Sequence, residues 1–530
     1  MSGYTRRIEE MKTIHQYPLQ GKQKSFNETF YALEKLDVAL IQPNLIRDVP
    51  DEFVDPIERA FFSVNGNLSD DSFADTPVEA NWGLLSIGDR LLQSKYRVAY
   101  LDFNLYDYVK RINTGESITL GDIADIFDKK KASVYAISCM TASINQGIRI
   151  AKLLKVRYQN AYVVLGGIHP TLFAEDILKQ YAGIVDFVIQ GEGELPILAM
   201  LNQLKNGNNL SIWPVIPGLC FLSDDKVIIN QPNQLKLETE DSTLNFSFWP
   251  SDVPFVPRIN LSRGCMGKCV YCSANRFFNF NYRLRTKDNI ITDIESCVKS
   301  GYDKLLFGDL SFGCDRQMAI DICQYIVDKQ IKIEFWCQMR LMDCDSELLK
   351  LMSKAGCNQI ALGFESATAE ILATVSAEKG SSRGLFEVCQ EINNYGIAIQ
   401  GYFVLGLPDE TRESALKTID LMESLLSYDM TYVHISVCVP FPGTDLFEHP
   451  EKYKIEIVDY DFDNYLMNSD LNGVALPVFN GEFLNRLEIL SLWRYALSVA
   501  EKRLSKRKTT VLSNSFVGIY CERFYQRLVG

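Results

Sequence analysis

The sequence predicts an α/β protein with an N-terminal doubly wound parallel sheet, a partial (β/α)6 barrel and a small, mostly helical C-terminal region. Three observations predict this. From Leu36 onward, short apolar runs alternate with amphipathic helical segments, the pattern of parallel strands joined by crossover helices. The alternation breaks over residues 206–257, a stretch marked by WPVIPG and FWPSDVPFVP, and then resumes. Six strand-like runs then precede residue 448, too few for a closed (β/α)8 barrel, so an open partial barrel fits.

Residues 1–35 are polar and mixed and read as a leader segment, without the apolar core of a signal peptide. The first domain spans 36–205. DVALIQP (37–43) is a buried strand ending at Pro, and the acidic stretch from Arg47 to about Asp75 is a long loop. WGLLSIGDRLLQSKY (82–96) has helical spacing, RVAYLDF (97–103) and SVYAISC (133–139) are strands, and SINQGIRIAKLLKVRY (143–158) is an amphipathic helix. AYVVLGG (161–167) and DFVIQGEGE (186–194) are strands that run into glycines. Residues 206–257 form a linker with a few short strands. The second domain spans 258–448 with strands in RINLSRG, DKLLFGD, IKIEFWCQMR, QIALGFES, AIQGYFVLG and YVHISVCVP. Residues 449–530 complete the chain, with an amphipathic helix over 482–504 that ends in the basic run KRLSKRK, a solvated helix end.

Apolar residues make up 47% of the 530 and charged residues 23%, ordinary values for buried cores. The net charge of −13 argues against nucleic acid as a partner. No apolar run reaches the length of a membrane span. The 14 cysteines are scattered through apolar segments, as expected of reduced thiols in a cytoplasmic protein.

Only SRGCMGKCVYC (262–272) groups cysteines tightly. Cys265, Cys269 and Cys272 can supply three thiolates to one iron–sulfur cubane, with Gly264 and Gly267 letting the loop fold round it. Three protein ligands leave one iron open, whereas a four-cysteine site is closed. Zinc would need a fourth ligand, and none of the four histidines is near; chance buried cysteines are the remaining reading.

CMGKCVYC resembles the CxxxCxΦC motif of the radical S-adenosylmethionine superfamily. The resemblance implies a 4Fe-4S cluster whose open iron chelates S-adenosylmethionine, with Tyr271 beside the adenine. It continues in order through LLFGDLSF, with Asp309 near the methionine amino group, FWCQMRL with Arg340 facing the barrel, IALGFES with Glu365 at the ribose, and GYFVLGLPDET with Gly401 on the fifth strand. The N-terminal domain resembles the Rossmann-like cobalamin-binding domain that precedes many such barrels. By that resemblance Ser138, Thr141, Gly166, Gly167, His169, Gly191 and Glu192 line cobalamin. The chain departs from the pattern in lacking the Asp-x-His-x-x-Gly motif of enzymes with a histidine cobalt ligand.

Together the two domains imply a cobalamin-dependent radical methyltransferase. It would cleave S-adenosylmethionine reductively and pass a methyl group through methylcobalamin to a poorly activated carbon or phosphorus centre of a small-molecule or peptide intermediate. A reductant such as flavodoxin or ferredoxin is the implied partner. Oxidative cyclisation or rearrangement on the same domains is the alternative, and a non-catalytic cobalamin or cluster sensor a second. A methylthiotransferase would need a second cluster, but only Cys139 and Cys220 precede Cys265. Tyr432, His434, Tyr465, Trp493 and Tyr520 are expected to be core aromatics rather than lining residues.

Overall fold

A computed structural model describes residues 36–44, 81–104, 106–107, 110, 117–206, 210–241, 243–244, 246, 256–375, 384–428, 431–465 and 477–504. The leader, the whole acidic loop, Tyr520 and residues 505–508 of the basic run lie outside the described residues, as does the side chain of Tyr432.

The first sheet contains β1 (Leu36–Gln42), β2 (Val98–Asp102), β3 (Ala132–Ser138), β4 (Tyr162–Gly166), β5 (Phe187–Ile189), β6 (Leu219–Ser223) and β7 (Lys226–Ile229), in the order β2-β1-β3-β4-β5-β6-β7. The pairs from β2 to β5 are parallel. Their apolar runs are buried because helices cover both faces. The chain order reverses between β1 and β3, which opens a crevice at the carboxyl ends of the strands, where ligands of doubly wound sheets bind. Side-chain caps start the covering helices: Asn81 Oδ1 accepts from Leu84 N at 3.1 Å, and Thr119 forms a capping box with Asp122. The stretch expected to be a linker does more than connect. Its strands β6 and β7 form an antiparallel hairpin that extends the first sheet beyond β5.

The second sheet contains β8 (Arg258–Ile259), β11 (Lys304–Phe307), β12 (Glu334–Met339), β13 (Cys357–Glu365), β14 (Ala398–Leu405) and β15 (Thr431–Val437). It is an open six-stranded parallel sheet in the order β15-β14-β13-β12-β11-β8. The small ribbon of β9 (Ser262–Arg263) and β10 (Arg283–Leu284) flanks the cysteine loop. The C-terminal helix, Arg486–Leu504, packs on β15, and Trp493 Nε1 donates to Ile435 O at 3.0 Å. Trp493 and Tyr465 are core aromatics, as expected. Among the described residues no helix is long and apolar enough to cross a membrane.

One buried carboxyl links this fold to pH. Glu410 Oε2 accepts from Gly406 N at 2.6 Å, its Oε1 has no hydrogen-bond partner, and burial pushes its pKa up from 4.5 to about 8. The folded state therefore holds a proton that the unfolded chain releases near pH 4.5. Its contribution to stability is complete below that pH and is lost as pH rises towards 8. Glu410→Gln is expected to flatten this decline, read as denaturation midpoints at pH 5, 6.5 and 8. A wild-type slope that persists in the variant would place its origin elsewhere.

Candidate active site

The cysteine loop is held from below. Asp309, just past β11, is buried. Its carboxylate accepts from Leu261 N at 2.9 Å, Ser262 N at 2.8 Å and Ser262 Oγ at 2.6 Å. Burial raises its pKa to about 6 against these donated bonds. Asp309 is thus engaged with the strand that launches the loop, which corrects the expectation of a carboxylate free to meet an amino group. Gly264 then turns at φ +92°, where a Cβ would lie 2.2 Å from Asn281 O. Gly267 N donates to Cys265 Sγ at 3.3 Å, and Cys272 N to Cys269 O at 3.1 Å. Val270 ties the loop down through Val375 O and Leu446 N.

All three thiols are half-buried. Burial pushes Cys220 up to about 11, Cys389 to about 12, and Cys139, Cys297, Cys323 and Cys438 well above the ordinary range, so those thiols resist becoming thiolate ligands. Among the described residues no three His, Cys, Asp or Glu side chains surround a point as for a single metal ion. The fit of an iron–sulfur cluster therefore rests on the donor chemistry and the glycine-hinged loop. Cys314 is half-buried beside Cys265, where the backbone N–H of Met266 bonds its sulfur.

Tyr271 packs against the edge of the core and its hydroxyl donates to Glu365. Glu365 ends β13 at φ +56°, at a register shift between Gly363 and Glu365. Non-glycine residues hold such a conformation at a cost, and they cluster at functional sites. A Cβ on Gly363 would meet Glu365 Oε1 at 2.6 Å, so the glycine makes room for the folded-back carboxyl. Burial raises Glu365 to about 7, with the Tyr271 bond opposing.

Parallel register sets one face of the second sheet. Gln338, Ala361 and Gln400 align across β12–β14, as do Gly363, Tyr402 and His434 across β13–β15. This concave face is polar and open: Gln338 and Gly363 are exposed, Tyr402 and His434 half-buried. Gln359 Nε2 donates to Gln400 Oε1 at 2.9 Å, and the rings of Tyr402 and His434 meet edge to face at 5.2 Å. His434 therefore lines this face instead of the core. The opposite face, with Phe335, Ile360, Phe364 and Phe403, is buried against helices. Gly401 lies on the fifth strand, β14, as expected, and faces the apolar side. A Cβ there would lie 2.9 Å from Phe364, whose ring stacks on Phe403 at 5.4 Å. Arg340 follows β12, and Asp343 matches its charge through bonds of 2.7 and 2.8 Å. The period-two alternation marks Gln338, Gln400 and Tyr402 in the sequence; which parity faces inward is a tertiary matter.

A cleft of about 600 Å³ separates the two sheets. Ser138, Gly166, Gly167, Gly191 and Glu192 line one side of it, and Gly264 and Ser273, which bracket the three cysteines, line the other. Thr141 and His169 do not line it, another correction. His169 is turned inward and covered by Phe173 and Phe462, at ring distances of 4.6 and 4.7 Å, with Nδ1 3.4 Å from Thr141 Oγ1. Phe462 comes from the C-terminal segment, so no reading of the loop alone could show this. Burial lowers His169 to about 4, leaving it neutral at pH 7. Gln42, Asn81, Asp102 and Met140 also line the cleft and were not singled out in the sequence. The cleft's volume is that of a cofactor pocket. A Cβ on Gly166 or Gly191 would come no nearer than 3.8 or 3.5 Å to another group, so side chains there would take up cleft space. These features fit cobalamin.

Comparison with known proteins agrees with this geometry. Residues 259–422 match the model of the radical SAM superfamily, and residues 78–201 that of the B12 binding domain. The chain belongs to the radical S-adenosylmethionine superfamily and carries a B12-binding domain. This radical SAM enzyme is 28% identical to an uncharacterized methyltransferase of Pyrococcus horikoshii, over 63% of the chain and 72% of that protein. It is 24% identical to the anaerobic magnesium-protoporphyrin IX monomethyl ester cyclase of Rubrivivax gelatinosus, over 68% of the chain and 64% of the cyclase, a little under two thirds of the cyclase's length. Its fold matches the radical S-adenosylmethionine methyltransferase TsrM of Kitasatospora setae, solved with cobalamin and a [4Fe-4S] cluster, at a TM-score of 0.61, 14% identity and 89% coverage of each chain. The two domains imply a 4Fe-4S cluster, S-adenosylmethionine and cobalamin as cofactors.

Proposed function

We propose that this radical SAM enzyme is a cobalamin-dependent methyltransferase acting on a poorly activated carbon or phosphorus centre of a small-molecule or peptide biosynthetic intermediate. One observation carries the reading: a single cleft is lined from one side by Gly166, Gly167 and Gly191 and from the other by the residues that bracket Cys265, Cys269 and Cys272. Both cofactors therefore have access to a common space. When bound, the cluster and S-adenosylmethionine supply one-electron cleavage chemistry, and cobalamin carries a methyl group.

The chain's own residues hold and shield. Cys265, Cys269 and Cys272 are the cluster ligands. Tyr271 and Glu365 form the wall beside them, and the carboxyl of Glu365, poised near neutrality, accepts or donates hydrogen bonds. The amides of Gln338 and Gln400, with Tyr402 and His434, offer an uncharged hydrogen-bonding surface on the concave face, where substrate binds. A flavodoxin- or ferredoxin-type reductant in the cytoplasm supplies the electron. The match to a cyclase supports oxidative cyclisation as a second reading.

The test is anaerobic reconstitution with iron, sulfide and hydroxocobalamin, followed by assays for deoxyadenosine and S-adenosylhomocysteine. One cobalamin per chain with both products is expected. A substrate-derived product heavier by one methylene unit completes the case. A cluster and deoxyadenosine without S-adenosylhomocysteine would overturn it in favour of the cyclase-type reading.

A further inference from the structure

Buried charge joins the two walls of the cleft. Glu192 and Glu194 follow β5 in the glycine loop of the B12-binding domain. Arg263 ends β9, immediately before Gly264 and Cys265. Arg263 Nη1 lies 2.6 Å from Glu192 Oε1 and 2.9 Å from Glu194 Oε1. Arg283, opposite Arg263 in the β9–β10 ribbon, reaches Glu192 Oε2 at 2.9 Å. Arg285 continues the array to Asp241 at 2.5 Å and Asp293 at 2.9 Å, and Asp241 returns to Arg263 at 3.7 Å. The Arg263 guanidinium also lies 4.7 Å over the Trp82 ring. The side chains of Arg263, Glu192 and Glu194 are at most 4% exposed.

Stability alone is a weak reason for such an array, because desolvation offsets most of the attraction of a buried pair and apolar packing would serve as well. What the array adds is direction. One guanidinium nitrogen, Arg263 Nη1, held between two carboxylate oxygens at hydrogen-bonding distance fixes a direction that apolar contact does not. The three arginines find their carboxylate partners, Glu192, Glu194, Asp241 and Asp293, within the array. Two further polar bridges from the first domain, Asn145 to Asp461 and Arg149 to Asp463, lie nearer solvent, reach the C-terminal segment and involve neither cofactor loop.

We propose that Arg263 is a positioning residue: through Glu192 and Glu194 it sets the offset between the glycine loop of the B12-binding domain and the cysteine loop of the barrel, and with it the spacing of the two cofactors. This rests on the cofactor reading of the preceding subsection and goes beyond it by assigning the spacing to one side chain.

The experiment uses full-length protein loaded with both cofactors and reduced so that cluster and cobalt are both paramagnetic. The relaxation of the Co(II) electron spin by the cluster reports their spacing, independently of turnover. Arg263→Lys keeps the charge and removes the Nη1 that both glutamates share; Glu192→Gln and Glu194→Gln each leave Arg263 one close glutamate and carry the test if the lysine variant does not fold. Slower and more heterogeneous cobalt relaxation is expected in these variants, with deoxyadenosine formed per methyl transferred rising about tenfold. Arg149→Ala is expected to match wild type in both. Unchanged relaxation and an unchanged ratio in the loaded variants would overturn the inference alone. A wild-type protein that binds no cobalamin would overturn the cofactor reading and this inference together.

Discussion

Cys269→Ala is expected to abolish the iron–sulfur absorption of reconstituted protein and to lower deoxyadenosine formation by about three orders of magnitude. The reason is ligand count. Cys265, Cys269 and Cys272 are half-buried thiols on one loop, and two thiolates hold a cubane poorly. The loss should come without unfolding, because the loop is tied down at Val270 by backbone bonds that the substitution leaves alone. Cys323→Ala is the control. That thiol is buried in the core under β12, so its removal should lower thermal stability and leave the cluster intact. Normal absorption in the Cys269 variant, or its loss in the Cys323 variant, would contradict the assignment.

Gly166→Leu is expected to lower bound cobalamin to roughly a tenth or less while sparing the cluster, with S-adenosylhomocysteine formation falling in parallel. Gly166 ends β4 in register with Ser138, and a Cβ there meets nothing nearer than Ile189 O at 3.8 Å. The strand can accept the side chain, and the leucine body occupies the cleft. Gly167 could not separate the roles. It sits at φ +96°, and a Cβ would lie 2.5 Å from Cys139 O, so any substitution would distort the loop itself. The measurement is cobalamin per chain by absorption, beside iron content and deoxyadenosine formation. Full cobalamin binding by Gly166→Leu would remove the cleft from consideration as its site.

The cysteine loop was legible because its pattern is local: three thiols within eight residues, with Gly264 just before them and Gly267 between, carry their meaning in the spacing. The strands were legible for a similar reason, since fully buried parallel strands are short apolar runs between helical ones. The misreadings came where a residue's meaning depends on what meets it. Asp309 carries the residue type expected of a ligand-binding carboxylate, yet the backbone of Leu261 and Ser262, some 48 positions away in sequence, claims its oxygens. The facing of Gly401 was not legible at all: it lies on the fifth strand as expected, and the parity of β14 turns it towards Phe364.

The sequence by itself determined the element order, the tight spacing of the three loop cysteines and the placing of glycines after the strands, because each depends on neighbours along the chain. The tertiary structure decided which of those residues share the cleft. Phe462 covers His169 and takes it out, the open sheet brings Gln338, Tyr402 and His434 onto one face, and Arg263 joins Glu192 across the domain boundary. The physical reason is that burial and pairing are set by segments distant in sequence, and a buried charge or ring takes its role from whichever partner reaches it.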